Sequence, residues 1–295
     1  MTTFCGYIAL IGRPNVGKST LLNQILHLKL SITSRKPQTT RHRILGIQTE
    51  GDYQYVYVDT PGIHQKNKKA LNRIMNKTAS STLRDVDVIV FMLSGTQWTE
   101  HDEYVLSLIK NSLTPTVLVI NKVDKIIDKT SLLPFIEQMA ARHAFAAILP
   151  LSAKTGLQVD ALQKTLKAFL PESPHLFSNE QFTDRPLRFL CAERLREKIF
   201  RLCGEELPYA ANVEIESFKE EPNLVRIHAL ILVEKASHKR MIIGEKGQKL
   251  KEMATLARQD MELLIGKKVF LQCWCKVKTG WTNDEGRLKQ LGYDC

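Results

Sequence analysis

Short, continuously apolar runs alternate with longer amphipathic stretches along this chain, and the pattern changes character near residue 170. In the first part, Tyr7–Ile11, Val86–Leu93, Thr116–Ile120 and Ala147–Leu151 show no in–out alternation. Parallel strands read that way when helices cover both faces of their sheet. Ile44–Thr49 and Tyr53–Val58 flank Glu50-Gly51-Asp52, a turn composition, and predict a hairpin. Helical periodicity predicts helices near 20–28, 69–83, 101–111, 130–143 and 157–169. Strand and helix in regular alternation predict a doubly wound α/β domain over residues 1–170.

Residues 171–186 hold three prolines and no helical period, and they read as a linker. Beyond them, Leu187, Leu190, Cys191, Leu195, Ile199 and Leu202 share one helical face, with Glu193, Arg196, Glu197 and Arg201 on the polar side and Gly204 as the cap. Ala211–Phe218 and Leu224–Val233 predict two strands around Glu220-Glu221-Pro222-Asn223. A helix with Leu250, Met253, Ala257, Met261 and Leu264 on one face comes later, followed by a strand over Val269–Lys278. In that strand Val269, Leu271, Cys273, Cys275 and Val277 share one side, and Phe270, Gln272, Trp274 and Lys276 the other. Trp274 reads as cover for the outer side of the sheet or as a stacking surface for a base. Residues 187–295 thus predict a second, α+β domain; 279–293 read as a tail that caps it.

Composition changes this picture in three places. With 295 residues the chain can bury two cores. The six cysteines show no C-x-x-C pair and no zinc spacing, which fits reduced thiols in a cytoplasmic protein. No run approaches the ~18 apolar residues of a membrane span and the start has no basic-then-apolar leader, which leaves room only for peripheral contact with the inner face of the cell membrane. The net charge of +11 favours polyanionic partners. Residues 175–295 hold 21 Lys/Arg and 18 Asp/Glu, a net +3, so a nucleic-acid surface there must be a local patch.

The candidate chemistry sits where the predicted strands end. Gly12-Arg13-Pro14-Asn15-Val16-Gly17-Lys18-Ser19 fits G-x-x-x-x-G-K-[ST], a loop whose backbone N–H groups wrap nucleotide phosphates. Lys18 would reach the outer phosphates and Ser19 would ligate Mg²⁺, with Val16 and Thr20 completing the cradle. The basic stretch 29–43 contains Thr39 and Thr40, either of which could close over the γ-phosphate, although the stretch also reads as a solvated loop. Asp59-Thr60-Pro61-Gly62 ends the hairpin, with Asp59 placed for the Mg²⁺ shell and the Gly62 amide for the γ-phosphate. Residues 63–77 carry five Lys/Arg and no acid, which suits a switch, an RNA-facing surface or a solvated helix start.

Asn121-Lys122-Val123-Asp124 is the base-specific feature. Asp124 can accept from guanine N1–H and the 2-amino group together, and adenine has no such donor pair. Asn121 would tie this loop to the phosphate loop, and the Lys122 stem would lie along the base. Backbone amides of Ser152-Ala153-Lys154 would meet guanine O6. In the second domain, Ile242 and Ile243 precede Gly244-Glu245-Lys246-Gly247, a G-x-x-G loop of the kind that clamps single-stranded RNA. Lys235, Lys239, Arg240, Lys246, Lys249 and Lys251 against Glu245 alone give that region a local +5. The α-β-β-α-GxxG-α-β order is that of a type II KH domain.

On these five motifs, residues 6–170 resemble the translation-factor-type P-loop GTPases. With the KH pattern and the segments 32–43, 183–189 and 276–281, nearly the whole chain resembles the Era-like GTPases. The resemblance implies a switch that hydrolyses GTP to GDP with Mg²⁺, using Lys18, Thr40 and Gly62 at the phosphate, and it selects Thr40 over Thr39. It implies potassium as an additional ion at Asn15, and water positioned without the glutamine that Ile63 replaces. It implies RNA rather than DNA as partner, namely the 3′ end of small-subunit (16S) ribosomal RNA, and a role in maturing that subunit. Basic switch segments would touch RNA or the KH domain. Two competing readings are a GTPase-regulated RNA-modification factor and a membrane-surface GTPase scaffold. Against the first, residues 187–295 show no cysteine–histidine or carboxylate constellation: His228 reads as a strand residue and His238 as part of the basic patch.

Overall fold

The structure, a computed structural model, describes residues 2–34, 36–63, 70–204 and 207–293. It divides into two compact units, one of Met1–Ser31, Thr40–Lys68 and Asn72–Asp184, the other of Ile32–Thr39, Lys69–Leu71 and Arg185–Cys295. The basic stretch 63–77 falls partly outside the described residues, at 64–69, as does Cys295.

The first unit runs β1 (Phe4–Ile11), α1 (Lys18–Ile25), β2 (Ile44–Glu50), β3 (Tyr53–Asp59), α2 (Ala70–Thr82), β4 (Val88–Ser94), α3 (Glu100–Ile109), β5 (Thr116–Asn121), α4 (Leu132–Ala140), β6 (Ala147–Pro150) and α5 (Val159–Lys167). Its six-stranded sheet has the order β2-β3-β1-β4-β5-β6. Only the hairpin pair β2–β3 is antiparallel. The uninterrupted apolar runs are explained by position: Ile8–Ile11, Val88–Leu93 and Val117–Ile120 are fully buried between the two helical layers. One layer is a cluster of Ala9, Ile11, Phe91, Leu118 and Ile120 against Val105, Ile109 and Met139. Each such buried Leu, Ile or Phe contributes about 1.5–3 kcal/mol. The loops at 12–17, 60–63, 122–124 and 151–154 all leave the carboxyl ends of parallel-paired strands, the edge where open α/β sheets bind ligands.

The stretch expected to be a linker lies along this unit from residue 171 to 184. Glu172 pairs with Phe4 and Thr183 with Gly46 as isolated bridges. The buried Gln54 accepts from the Leu176 and Phe177 N–H groups at 2.8 and 3.0 Å and donates to the Phe177 carbonyl at 2.9 Å.

The second unit contains α6 (Leu187–Leu202), β7 (Ala211–Glu220), β8 (Leu224–Val233), α7 (Ala236–Ile243), α8 (Gln248–Ile265), β9 (Lys268–Val277) and α9 (Glu285–Gln290). Its sheet has the order β7-β8-β9, with β7 antiparallel and β9 parallel to β8. Alternation puts Val225, Ile227, Ala229, Ile231 and Val233 on the inner face, in one core with Leu195, Ile199, Met253, Ala257 and Met261 of the helices. Cys191, Cys203 and Cys275 belong to that core, with Cys273 packed against it.

Two details of α6 correct the amphipathic reading. Glu193, Arg196 and Glu197 are buried, not on a solvated face. The reason is local pairing with segment 32–39. Arg196 grips Glu193 with two bonds of 2.5 and 2.6 Å and donates to the Thr39 carbonyl at 2.6 Å, while Glu197 accepts from the Thr33 N–H at 3.1 Å. Gly204 does not cap the helix, which ends on Cys203 in an extended conformation.

Candidate guanine-nucleotide and RNA sites

The phosphate loop is shaped by two glycines with positive φ. At Gly12, φ is +147° and a Cβ would meet the Met92 carbonyl at 2.6 Å. At Gly17, φ is +111° and a Cβ would collide with the Asn121 amide. Lys18 closes the loop on itself, donating to the Gly12 and Arg13 carbonyls at 3.0 and 3.2 Å. Burial pushes its pKa down to about 8, partly offset by the nearby Asp59 charge. A buried ammonium whose hydrogen bonds among the described residues go to two carbonyls is poised for an anion such as a phosphate.

Ser19, Thr40 and Asp59 converge. The Ser19 hydroxyl donates to Asp59 Oδ2 at 2.7 Å and lies 2.8 Å from Thr40 Oγ1. Burial raises the Asp59 pKa, and the Ser19 hydrogen bond opposes that rise. Two hydroxyls and a carboxylate form an all-oxygen donor set, which suits Mg²⁺ supplemented by phosphate oxygens and water. Among the described residues no group of three His, Cys, Asp or Glu side chains could hold a metal. Thr39, one residue earlier, is turned elsewhere: its hydroxyl donates to the Lys36 carbonyl at 2.8 Å and contacts Ser34 Oγ at 2.7 Å. Thr60 is buried and donates to the Leu10 carbonyl at 2.9 Å, which fixes the turn into Gly62. A Cβ on Gly62 would lie 2.8 Å from Pro14, so that backbone passes directly against the phosphate loop. Ile63 is buried in the core behind it.

The base end is built around Asn121. Its Nδ2 donates to the Val16 carbonyl at 2.7 Å, and its Oδ1 accepts from the Lys122 and Ala153 N–H groups at 2.7 and 2.9 Å. Lys122 Nζ donates to the carbonyl of Asn15, a residue held at φ +63°. Asp124 is exposed, and the buried Ser152 hydroxyl donates to its Oδ1 at 2.7 Å, orienting the carboxylate. Lys154 is exposed at the rim, and Thr20 lies in the first turn of α1. The structure therefore joins Ser19, Thr40 and Asp59 in one cluster and Asn15, Val16, Asn121, Lys122 and Ala153 in another, with Asp124 on Ser152. Among the described residues, Thr20 and Lys154 have no side-chain hydrogen bond to either cluster.

Sequence reasoning missed two supports. The Arg13 Nε–H is shared between the two Asp102 oxygens at 3.1 and 3.2 Å, and the fully buried Asp102 also caps α3 in a box with Thr99. The Thr99-x-x-Asp102 spacing carried the cap but nothing pointed to Arg13. Asn23 Oδ1 accepts from the Leu30 and Ser31 N–H groups at 2.9 Å, setting the exit from α1.

In the second unit, α7 ends at Ile243 and the G-x-x-G loop turns through positive φ at Gly244 (+70°), Lys246 (+47°) and Gly247 (+79°) before α8 begins. A Cβ on Gly244 would lie 2.6 Å from the Lys249 Cβ. Lys235, Arg240, Glu245, Lys246 and Lys251 are exposed; Lys239, Lys249 and Ile243 are half-buried. Ile242 corrects the expected groove wall. It is fully buried in the core, because the α7 period turns His238 and Ile242 inward and supports the loop from beneath.

Comparison with known proteins agrees with this geometry. Residues 7–122 match the family model described as 50S ribosome-binding GTPase, and residues 206–282 match a KH domain. The GTPase Era of Pseudomonas fluorescens is 54% identical over 291 residues, 99% of this chain and 97% of that protein. The same protein of Pseudomonas aeruginosa is 54% identical over 289 residues, 98% and 95% of the two chains. Among solved structures, a single-residue variant of Aquifex aeolicus Era bound to GDP·AlF4⁻ is 40% identical, superposes with a TM-score of 0.96, and covers 99% of this chain and 100% of its own. Era in complex with MgGDPNP and nucleotides 1506–1542 of 16S ribosomal RNA gives the same identity, TM-score and coverage. The chain belongs to the Era family of GTPases, enzymes that hydrolyse GTP to GDP and phosphate.

Proposed function

We propose that this GTPase binds the 3′ end of 16S ribosomal RNA through its KH loop and assists maturation of the small ribosomal subunit in the cytoplasm. The observation that carries this is that one chain holds both a complete guanine-nucleotide edge, from Gly12 to Lys154, and a G-x-x-G loop flanked by lysines. The relative solved with MgGDPNP and a 16S segment supports joining the two.

In the nucleotide site, Asp124 accepts the guanine N1–H and 2-amino donors, held in orientation by Ser152, with the Lys122 stem along the base. The amides of Ser152, Ala153 and Lys154 surround guanine O6. Lys18, freed from the Gly12 and Arg13 carbonyls, places its charge on the outer phosphates, and the Gly62 amide binds the γ-phosphate. Ser19, Thr40 and Asp59 hold Mg²⁺, which when bound offsets charge developing on the phosphate oxygens. Buried Ile63 cannot orient the attacking water. Hydrolysis is therefore slow until a group outside this side chain assists it. The exposed lysines near Gly244–Gly247 neutralise RNA phosphates while the glycines admit the RNA backbone.

Replacing both Glu245 and Lys246 by aspartate tests the RNA half. Binding of the 3′-terminal 16S segment should vanish in a filter or anisotropy assay while GTP hydrolysis continues; unchanged RNA affinity would refute the assignment.

A further inference from the structure

The outer face of the KH sheet, opposite the helices, is divided in two. One end is closed by the tail. Thr282 donates backbone and hydroxyl hydrogens to Glu234 at 3.0 and 2.7 Å, the Tyr293 hydroxyl reaches Asn212 at 3.2 Å, and Arg287 pairs with Glu214 at 3.2 Å. Trp281, Leu288 and Tyr293 are buried there. The other end is bare, and so is the β9 edge beside Leu230 and Leu232, where Trp274 and Lys276 lie in register with them. Phe270 is 46% and Trp274 39% exposed.

These two rings are held in place. The Trp274 indole N–H donates to Glu216 at 2.8 Å, a residue displaced by the β7 irregularity between Ile215 and Ser217. The His228 ring tilts against Trp274 with centroids 5.6 Å apart. The Arg226 guanidinium lies 5.6 Å from the Phe270 ring centre and pairs with Glu221 at 2.8 Å. Exposed Lys268, Gln272 and Lys276 share the outer side of β9, and exposed Lys219 sits opposite Arg226 on β7. Both carboxylates nearest the rings, Glu216 and Glu221, are thus engaged, and the side chains between the rings are polar. Four residues on one strand separate the rings by about 13 Å.

We propose that this bare half of the sheet is a second surface for single-stranded RNA, with Phe270 and Trp274 each stacking one base and Arg226, Lys268 and Lys276 neutralising the adjoining phosphates. Exposed rings on a sheet with cations around them are how sequence-tolerant stacking platforms are built. The cations around the rings, Lys219, Arg226, Lys268 and Lys276, favour a polyanion such as RNA over a protein partner, whose interface core would be depleted of lysine. β9 is the edge strand and α7 packs against it, so RNA leaving the Gly244–Gly247 loop need only pass around that edge. The inference rests on the RNA-binding reading of the KH loop.

The test uses the full chain, with Phe270 and Trp274 both replaced by leucine. The probes are the 16S segment 1506–1542 and a hexanucleotide from its 3′ end that is too short to extend beyond the loop. The variant should lose about tenfold or more in affinity for the long RNA while binding the hexanucleotide and hydrolysing GTP as the parent does. Equal affinity of variant and parent for the long RNA would overturn the inference and leave the KH reading standing. If the parent itself does not bind the long RNA, both fall. A second measurement avoids the variant: the parent crosslinked to 4-thiouridine-labelled long RNA should give adducts within 268–276. Adducts confined to 235–251 would overturn the proposal, as would a parent in which a protein or a lipid vesicle, but not RNA, protects Trp274 from quenching.

Discussion

Asn121 Nδ2 donates to the carbonyl of Val16 at 2.7 Å, joining the base-reading loop to the phosphate loop across 105 residues of chain. The same side chain also receives the Ala153 N–H, so three motifs meet on one amide. Replacing it by alanine leaves buried polar groups unpaired, at about 1–3 kcal/mol each. Asn121→Ala should therefore weaken binding of a fluorescent GDP analogue about 100-fold or more and lower the melting temperature of the nucleotide-free protein.

Base choice rests on Asp124 as oriented by Ser152. Asp124→Asn keeps the shape but presents a donor where guanine also donates and where xanthine has an oxygen. GTP affinity should fall about 100-fold or more while that for XTP rises, read by competition against the same analogue. Unaltered GTP binding would refute the assignment.

Lys18 gives a pH dependence. Its buried ammonium has a pKa near 8 rather than the usual 10.5, so the nucleotide-free protein is penalised while Lys18 is charged and gains stability as pH rises from about 8 towards 10.5. Phosphates restore the charge. At pH 8, GTP binding should take up about half a proton, rising at pH 9 and fading below pH 7. Calorimetry in two buffers of different ionisation enthalpy measures this, and Lys18→Ala should abolish it.

The Glu193–Arg196 pair in the second unit is buried with Arg196 also held by the Thr39 carbonyl. Glu193→Ala should cost about 3–5 kcal/mol in urea unfolding, because it strands a buried cation. Replacing both residues by methionine should recover much of that loss.

Asn15 sits exposed at φ +63° with its carbonyl taken by Lys122. If it supports a potassium ion, hydrolysis should run faster in KCl than in NaCl, and Asn15→Ala should remove the difference.

The sheet of the first unit was legible because Ile8–Ile11 and Val117–Ile120 have only one way to be buried, and each motif follows such a run directly. The second sheet was legible for a different reason: its strand over Val269–Cys275 alternates inner and outer residues without a break, as a sheet covered by helices on one face does. What escaped depends on residues far apart in sequence. Glu193, Arg196 and Glu197 look like a solvated stripe until backbone groups near residues 33 and 39 satisfy them. Arg13 and Asp102 carry no mutual signal across 89 residues. Likewise, of two adjacent threonines only Thr40 faces Ser19, and no local pattern distinguishes them.

The tail that closes one end of the KH sheet also bears on how this chain survives. Outward-facing Leu230 and Leu232 are 8% and 1% exposed, opposite the tail-bonded Glu214 and Asn212 in the β7 register. A protease that removed the residues from Trp281 onward would leave every nucleotide and G-x-x-G residue in place, yet wet a two-leucine strip on a sheet. Such a strip recruits other copies of itself. Clipped molecules should therefore disappear into aggregates rather than persist as a shortened GTPase.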